Sequence, residues 1–160
     1  MKAAAIILMV LVLAAVGALG FLYLKAELTV RSVSCIATDT VTQPEYFDQL
    51  KEQLASSTFV GTRFSSAEPG TADQYQFLTY TVRVSNRAFL TADILELRIT
   101  PMEGDVLQIG DLDRHTLASG KDMELSATIL TTREMHSIRE ATVTYYFWGI
   151  PLSTKLTLGK

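Results

Sequence analysis

The amino-acid sequence predicts a mainly β protein: an antiparallel β-sandwich of about seven or eight strands with one short helix, preceded by a transmembrane helix. Two observations support this prediction. Residues 3–24 form an unbroken apolar run between Lys2 and Lys25. From residue 77 to residue 158, apolar and polar residues alternate in short runs separated by turn residues. That alternation is typical of antiparallel strands that bury one face against a second sheet.

The apolar run predicts a membrane anchor. Its 22 residues, at about 1.5 Å each, give roughly 33 Å of helix, enough to cross a bilayer's hydrocarbon core. A cleaved signal peptide, with Ala18-Leu19-Gly20 as its cleavage site, is the alternative. The run continues through Phe21-Leu22-Tyr23-Leu24, however, which is longer than a signal requires. We therefore expect an uncleaved signal anchor at residues 1–25, with the N-terminus inside and a domain at residues 26–160 outside the cell membrane.

The charge balance restricts the partners of that domain. Without Lys2 and Lys25 the chain has 12 basic and 17 acidic residues, a net charge of −5. Nucleic acid binding requires clustered basic residues, so this balance argues against it. Cys35 is the only cysteine, which excludes a disulfide within the chain. We expect Cys35 to be a small core residue on the face of the first strand that also carries Val33 and Ala37.

One helix is predicted within the exported domain, at residues 44–56. Thr42 and Glu45 match a capping box around Pro44, and Phe47, Leu50 and Leu54 form a narrow apolar stripe. The predicted strands cover residues 26–38, 59–64, 77–85, 91–100, 106–109, 123–130, 139–148 and 152–158. The alternation places four sets of side chains in the core: Leu78, Tyr80, Val82 and Val84; Leu95, Leu97 and Ile99; Met123, Leu125, Ala127 and Ile129; and Ala141, Val143, Tyr145 and Phe147.

The sequence offers little for catalysis. His115 and His136 lack metal-ligand spacing, and we expect both to be solvated loop residues. No nucleophile-elbow, phosphate-loop or dinucleotide motif is present. The interpretation is a protein that is not an enzyme and has no cofactor.

Two acidic pairs are weak candidates for a calcium site. Glu103 and Asp105 precede a short predicted strand, and Asp111 and Asp113 follow it. Carboxylates that meet at a loop end suit Ca²⁺, but this spacing matches no known calcium loop. Solvation of these acids is the favoured interpretation.

Tyr146 and Trp148 are the candidate interaction surface. They lie on the face of their strand opposite Tyr145 and Phe147, so they point out of the core. They are expected either to form a platform for a carbohydrate or peptide, or to pack beneath the predicted helix at Phe47 and Leu50. We favour packing, because the helix needs an apolar surface.

The order of an apolar helix, then Tyr80-Thr81-Val82-Arg83-Val84-Ser85-Asn86, then Leu117-x-x-Gly120 and a closing strand pair, resembles a known type. It is similar to bacterial single-pass, extracytoplasmic immunoglobulin-like domains, including the LEA/water-stress β-sandwiches. The resemblance implies an immunoglobulin-like sandwich with a binding or structural role.

The sequence therefore predicts a membrane-anchored envelope protein that presents this domain for protein–protein interaction or envelope assembly. Its expected partners are the lipid bilayer, through residues 3–24, and a protein of unknown identity. One alternative is a structural subunit of a surface or secretion assembly that oligomerises through its transmembrane helix, where Ala14 and Ala18 have a helix-contact spacing. An envelope enzyme or a calcium-binding module is the remaining alternative.

Overall fold

The computed structural model describes residues 2–24, 27–110 and 115–159. It contains two α-helices and nine strands, and every strand pair is antiparallel. The helices are α1 (Lys2–Leu24) and α2 (Pro44–Ala55). The strands are β1 (Leu28–Asp39), β2 (Thr62–Arg63), β3 (Tyr75–Asn86), β4 (Ala92–Ile99), β5 (Asp105–Gly110), β6 (His115–Leu117), β7 (Asp122–Thr132), β8 (Arg139–Phe147) and β9 (Ile150–Leu158).

The strands form two sheets, in the order β1-β3-β7-β5-β2 and β6-β4-β8-β9. Without the two short edge strands β2 and β6, the remaining seven take the A-B-E-D and C-F-G order of an immunoglobulin constant-type sandwich. The predicted fold class is confirmed. The strand number exceeds the prediction because β6 has three residues, too few to show an alternating pattern, and its His115 was expected in a loop.

The core confirms the alternation in four strands. The inward residues of β3, β4 and β8, and Leu125, Ala127 and Ile129 of β7, are all buried, while Met123 is half-buried. Strand β1 differs from the prediction, because Val33 and Ala37 are exposed and Cys35 is only half-buried. The physical reason is that β1 is an edge strand, bonded to β3 on one side, and the second sheet covers only part of it.

Helix α2 covers the outer face of the five-stranded sheet. Its buried side chains, Phe47, Leu50 and Leu54, pack with apolar residues of β3, β5 and β7: Phe77, Val106, Leu107 and Leu130. The predicted capping box is wrong. Gln43 is the N-cap residue, and the Thr42 hydroxyl donates a hydrogen bond to the Asp39 carbonyl instead.

A buried ion pair joins the two sheets at the end of the sandwich that carries α2. Arg139 begins β8, Asp105 begins β5, and both side chains are fully buried. Arg139 Nη2 donates to Asp105 Oδ1 at 2.8 Å and Arg139 Nε donates to Asp105 Oδ2 at 3.0 Å. Arg139 Nη1 also donates to the carbonyls of His136 and Ile138, so the guanidinium is well satisfied.

Candidate functional site: the apolar tip beside helix α1

The end of the sandwich at which β1 begins, here called the proximal end, is the end that follows α1 in the chain. Leu28 pairs with Asn86 at the end of β3, and Ser85 pairs with Asp122 at the start of β7. The pairing of Asp93 with Tyr146 brings the end of β8 beside the start of β4. The β3–β4, β6–β7 and β8–β9 connections therefore meet at this end, and α2 lies at the opposite, distal end.

Three apolar side chains project from the proximal end, and we call them the apolar tip. Phe89 lies in the β3–β4 connection and is 76% exposed; Trp148 lies in the β8–β9 turn and is 62% exposed. Ile150 begins β9 and is 46% exposed. Single exposed apolar residues are ordinary on protein surfaces. A group of two aromatic rings and an isoleucine at the end that joins a long apolar helix is unusual. Such a grouping of exposed apolar side chains marks an interaction site.

Asn86 holds the base of the tip in place. Its buried side-chain amide donates to the carbonyls of Leu90 and Leu117, both at 2.7 Å, and its Oδ1 accepts from the Ala88 amide at 3.0 Å. These three bonds tie the β3–β4 connection to the end of β6. Asn86 is the last residue of β3 and does not have a positive φ. Its role is to satisfy buried backbone groups.

The conformation of Trp148 is unfavourable for a tryptophan. The β8–β9 turn has positive φ at both central residues, 50° at Trp148 and 77° at Gly149, which is typical of a type I′ hairpin turn. Asparagine and glycine adopt this conformation readily, whereas a bulky side chain is destabilised in it by roughly 1–2 kcal/mol. Because most of its ring is also exposed, Trp148 gains little packing within the domain in return. Fold stability alone does not explain this residue.

An apolar groove of about 540 Å³ separates the β8–β9 hairpin from α1. The hairpin side is lined by Trp148, Ile150 and their neighbours, and the helix side by residues 16, 19 and 20 of α1. The full set of lining residues is Val16, Leu19, Gly20, Leu90, Phe147, Trp148, Ile150 and Leu152. The indole N–H of Trp148 is the one polar group among these side chains, so the groove can accept hydrocarbon but is poorly equipped to orient a specific ligand.

The predicted interaction residues Tyr146 and Trp148 both lie at the proximal end. Tyr146 is half-buried on the outer face of β8, opposite Asp93 and Pro151, and Trp148 follows in the turn. Their favoured packing beneath α2 is wrong, because α2 lies on the outer face of the other sheet. The sequence cannot decide which sheet a helix covers, since both sheets offer apolar residues.

The structure describes two of the four calcium candidates, Glu103 and Asp105. Both oxygens of Asp105 are held by Arg139, so this carboxylate has no free face for a cation, and Glu103 is exposed in the preceding turn. Asp111 and Asp113 lie outside the described residues. Across residues 2–24, 27–110 and 115–159, no group of three or more His, Cys, Asp or Glu side chains is arranged to hold a metal.

The other reactive residue types are dispersed. His136 is exposed in the distal connection before β8, and His115 is half-buried in β6. Cys35 is opposite Tyr80 in the β1–β3 register, and burial raises the pKa of its thiol. A raised pKa lowers the thiolate fraction, so Cys35 behaves as a packing residue rather than as a nucleophile.

Comparisons with known proteins add little. No protein-family model matches the chain, and no curated protein matches it. Among solved structures, a FixG-related protein from Vibrio parahaemolyticus is similar at 11% sequence identity and a TM-score of 0.35. The match covers 81% of this chain and 94% of that chain. A likeness this weak carries no functional argument, so any function has to be argued from the geometry of the chain itself.

Proposed function

We propose that this protein is a membrane-anchored, non-enzymatic envelope protein, in which α1 holds an immunoglobulin-like sandwich at the extracytoplasmic surface for protein–protein interaction or envelope assembly. The main observation behind this proposal is helix α1. Its stretch Ala3–Phe21 has a mean hydropathy of 2.8, and none of it is buried inside the structure. By length and composition it can cross a membrane. Left in water, an apolar helix exposed on every face would aggregate, so a bilayer is its natural surrounding.

The free edge of the five-stranded sheet at β1 supports the proposal of a protein partner. Strand β1 is a 12-residue edge strand whose second side is unpaired within the described residues, and Ile36 on it is 65% exposed. A long edge strand with exposed apolar side chains is suited to strand addition by another chain. The β-sandwich fold is observed, whereas a relationship to the LEA/water-stress sandwiches in particular is part of this proposal.

Membrane fractionation with mass measurement tests the anchor. We expect the protein to stay in the membrane pellet after alkaline washing, with a mass that includes residues 1–25, and protease added to spheroplasts should degrade the domain. A soluble product that has lost its N-terminal residues would establish a cleaved signal and contradict the anchor. A domain that resists protease until the cells are lysed would show that the orientation is reversed.

A structural subunit that oligomerises through α1 is the second candidate function. At 3.6 residues per turn, Ala14 and Ala18 lie roughly opposite the groove-lining Val16, Leu19 and Gly20 around the helix. The small-residue face of α1 is therefore turned away from the sandwich and is accessible to another helix. Crosslinking in membranes should then yield dimers that Ala14→Leu with Ala18→Leu abolishes, while a monomer under all conditions would exclude this function.

A further inference from the structure

We propose that the apolar tip is inserted into the interface of the same bilayer that α1 crosses, with lipid acyl chains filling the groove between α1 and the β8–β9 hairpin. The sandwich is then seated on the membrane rather than tethered above it. This inference rests on the proposed function, because it requires α1 to span a bilayer. It goes further by naming lipid as the occupant of the tip.

The position of the groove along α1 places the apolar tip at the depth of the lipid. Gly20 and Val16, which line the groove, come four and eight residues before Leu24, the last residue of α1. At about 1.5 Å per residue they lie roughly 6 and 12 Å from the helix end. The 23 residues of α1 are only slightly longer than a hydrocarbon core of about 30 Å, so its end lies near the core boundary. Trp148 and Ile150, across the groove from these positions, therefore reach the outer part of the hydrocarbon.

The residue types of the apolar tip also suit a membrane interface. Tryptophan is enriched at membrane interfaces, where its ring contacts acyl chains while its indole N–H stays near water. Trp148 occupies a left-handed turn position that disfavours it and is mostly exposed within the domain. Transfer of its ring, with Phe89 and Ile150, from water into the interface supplies the stabilisation that the fold does not.

The charged residues of the proximal end do not oppose contact with a membrane. Arg87 and Lys121 lie exposed in the proximal turns, at the level where phosphate headgroups would be, and Asp122 is paired with Arg83 at 3.1 Å. Exposed acids of α2 lie at the distal end, away from an anionic surface: Glu45, Asp48 and Glu52. Exposed Glu27 and half-buried Asp93 also lie at the proximal end, so acidic and basic side chains are balanced there. The domain's acidic excess is therefore not concentrated on the end that would contact the membrane.

The lining of the groove selects lipid over a specific small ligand. Sites for small molecules combine apolar walls with a few placed polar groups, and none of the eight lining residues has a polar side-chain group aimed at a ligand except the indole N–H of Trp148. A mobile acyl chain needs only apolar walls. A helix from a second copy is the competing occupant, and the experiment separates the two.

Trp148 is the only tryptophan, so intrinsic fluorescence reports directly on the tip. The full chain would be reconstituted into vesicles of phosphatidylcholine and phosphatidylglycerol. We expect its emission to be blue-shifted, strongly quenched by lipids brominated along the acyl chain, and several-fold less quenched by aqueous acrylamide than a free tryptophan analogue.

A relocated tryptophan is the matched control. Trp148→Phe combined with Ile36→Trp moves the probe to β1, where the replaced side chain is similarly exposed but lies toward the distal end. This probe should show the opposite behaviour, with strong acrylamide quenching and no quenching by brominated lipid.

Substitution of the tip's other side chains tests the seating. Phe89→Ser with Ile150→Ser should red-shift Trp148 emission and raise its acrylamide quenching several-fold. The matched pair Val41→Ser with Ile138→Ser, exposed residues of the distal end, should change neither. Unchanged circular dichroism and Tm in both pairs would show that the fold is intact, as expected for exposed positions.

Three results would overturn the inference, and they are distinguishable. If the chain floats with the vesicles but Trp148 is quenched by acrylamide and not by brominated lipid, the tip is in water and only the further inference is wrong. If Trp148 is shielded from both quenchers, protein covers it, and the occupant is a second copy. If the chain does not float with the vesicles, α1 is not a membrane span and the proposed function is wrong as well.

Discussion

The substitution Asp105→Asn would leave the Arg139 guanidinium buried beside a neutral partner. In the native protein this pair is fully buried and links the first residue of β5 to the first residue of β8, across the two sheets. Asparagine has nearly the same shape as aspartate, and its oxygen could still accept the Met102 amide that Asp105 Oδ2 accepts at 2.9 Å. The substitution therefore removes the negative charge with little change in packing.

The size of the effect follows from burial. An exposed ion pair contributes about 0–1 kcal/mol, but removing one partner of a buried pair destabilises by roughly 3–5 kcal/mol, because it leaves an uncompensated charge. With both side chains at 0% exposure and two short hydrogen bonds between them, the upper part of that range applies. For a domain of this size the loss corresponds to a fall in Tm of roughly 10–20 °C.

A double-mutant cycle in detergent measures the effect. Urea unfolding of the full chain, followed by near-ultraviolet circular dichroism, gives the free energy of unfolding for Asp105→Asn, Arg139→Met and the two combined. Because either single change already breaks the pair, the double variant should be less destabilised than the sum of the singles by several kcal/mol. Arg83→Met, which breaks an exposed pair with Asp122, is the control and should change stability by less than about 1 kcal/mol. Additive single effects, or an Asp105→Asn loss as small as the control's, would refute the reasoning.

Three further predictions concern the proximal end and the edge strand. Asn86→Ala should lower the free energy of unfolding by about 2–3 kcal/mol, because two buried carbonyls and one amide lose their hydrogen-bond partner. A urea midpoint equal to that of the wild type would contradict this prediction. Trp148→Asn should raise the free energy of unfolding in detergent by about 1 kcal/mol, because asparagine tolerates the left-handed turn; a lower Tm would show that contacts of the ring outweigh the strain of the left-handed turn. Maleimide should label Cys35 slowly at neutral pH, because burial raises the pKa of the thiol and disfavours the thiolate. The labelling rate should keep rising with pH above the ordinary thiol pKa, and unfolding in urea should make labelling fast. Fast labelling of the folded protein would contradict the raised pKa.

Local sequence patterns were enough to predict several features of this protein. The period-2 alternation identified the inward residues of four strands, such as Val82 in β3 and Val143 in β8, because a side chain in a strand can only face one of two sides. The unbroken run that became α1 required only length and apolarity. The apolar stripe of α2 followed from helical spacing.

Contacts between residues far apart in the chain could not be predicted from such local patterns. The pairing of Asp105 with Arg139 spans 34 residues, and Asn86 reaches Leu117 across 31; neither has a local signal, because their partners are set by sheet stacking. The same holds for the apolar tip. In sequence, Trp148 is one residue of an aromatic strand and Phe89 one residue of a short connection. The antiparallel register returns β3, β8 and the start of β1 to one end. It thereby places both rings at the proximal end, with Trp148 across the groove from α1.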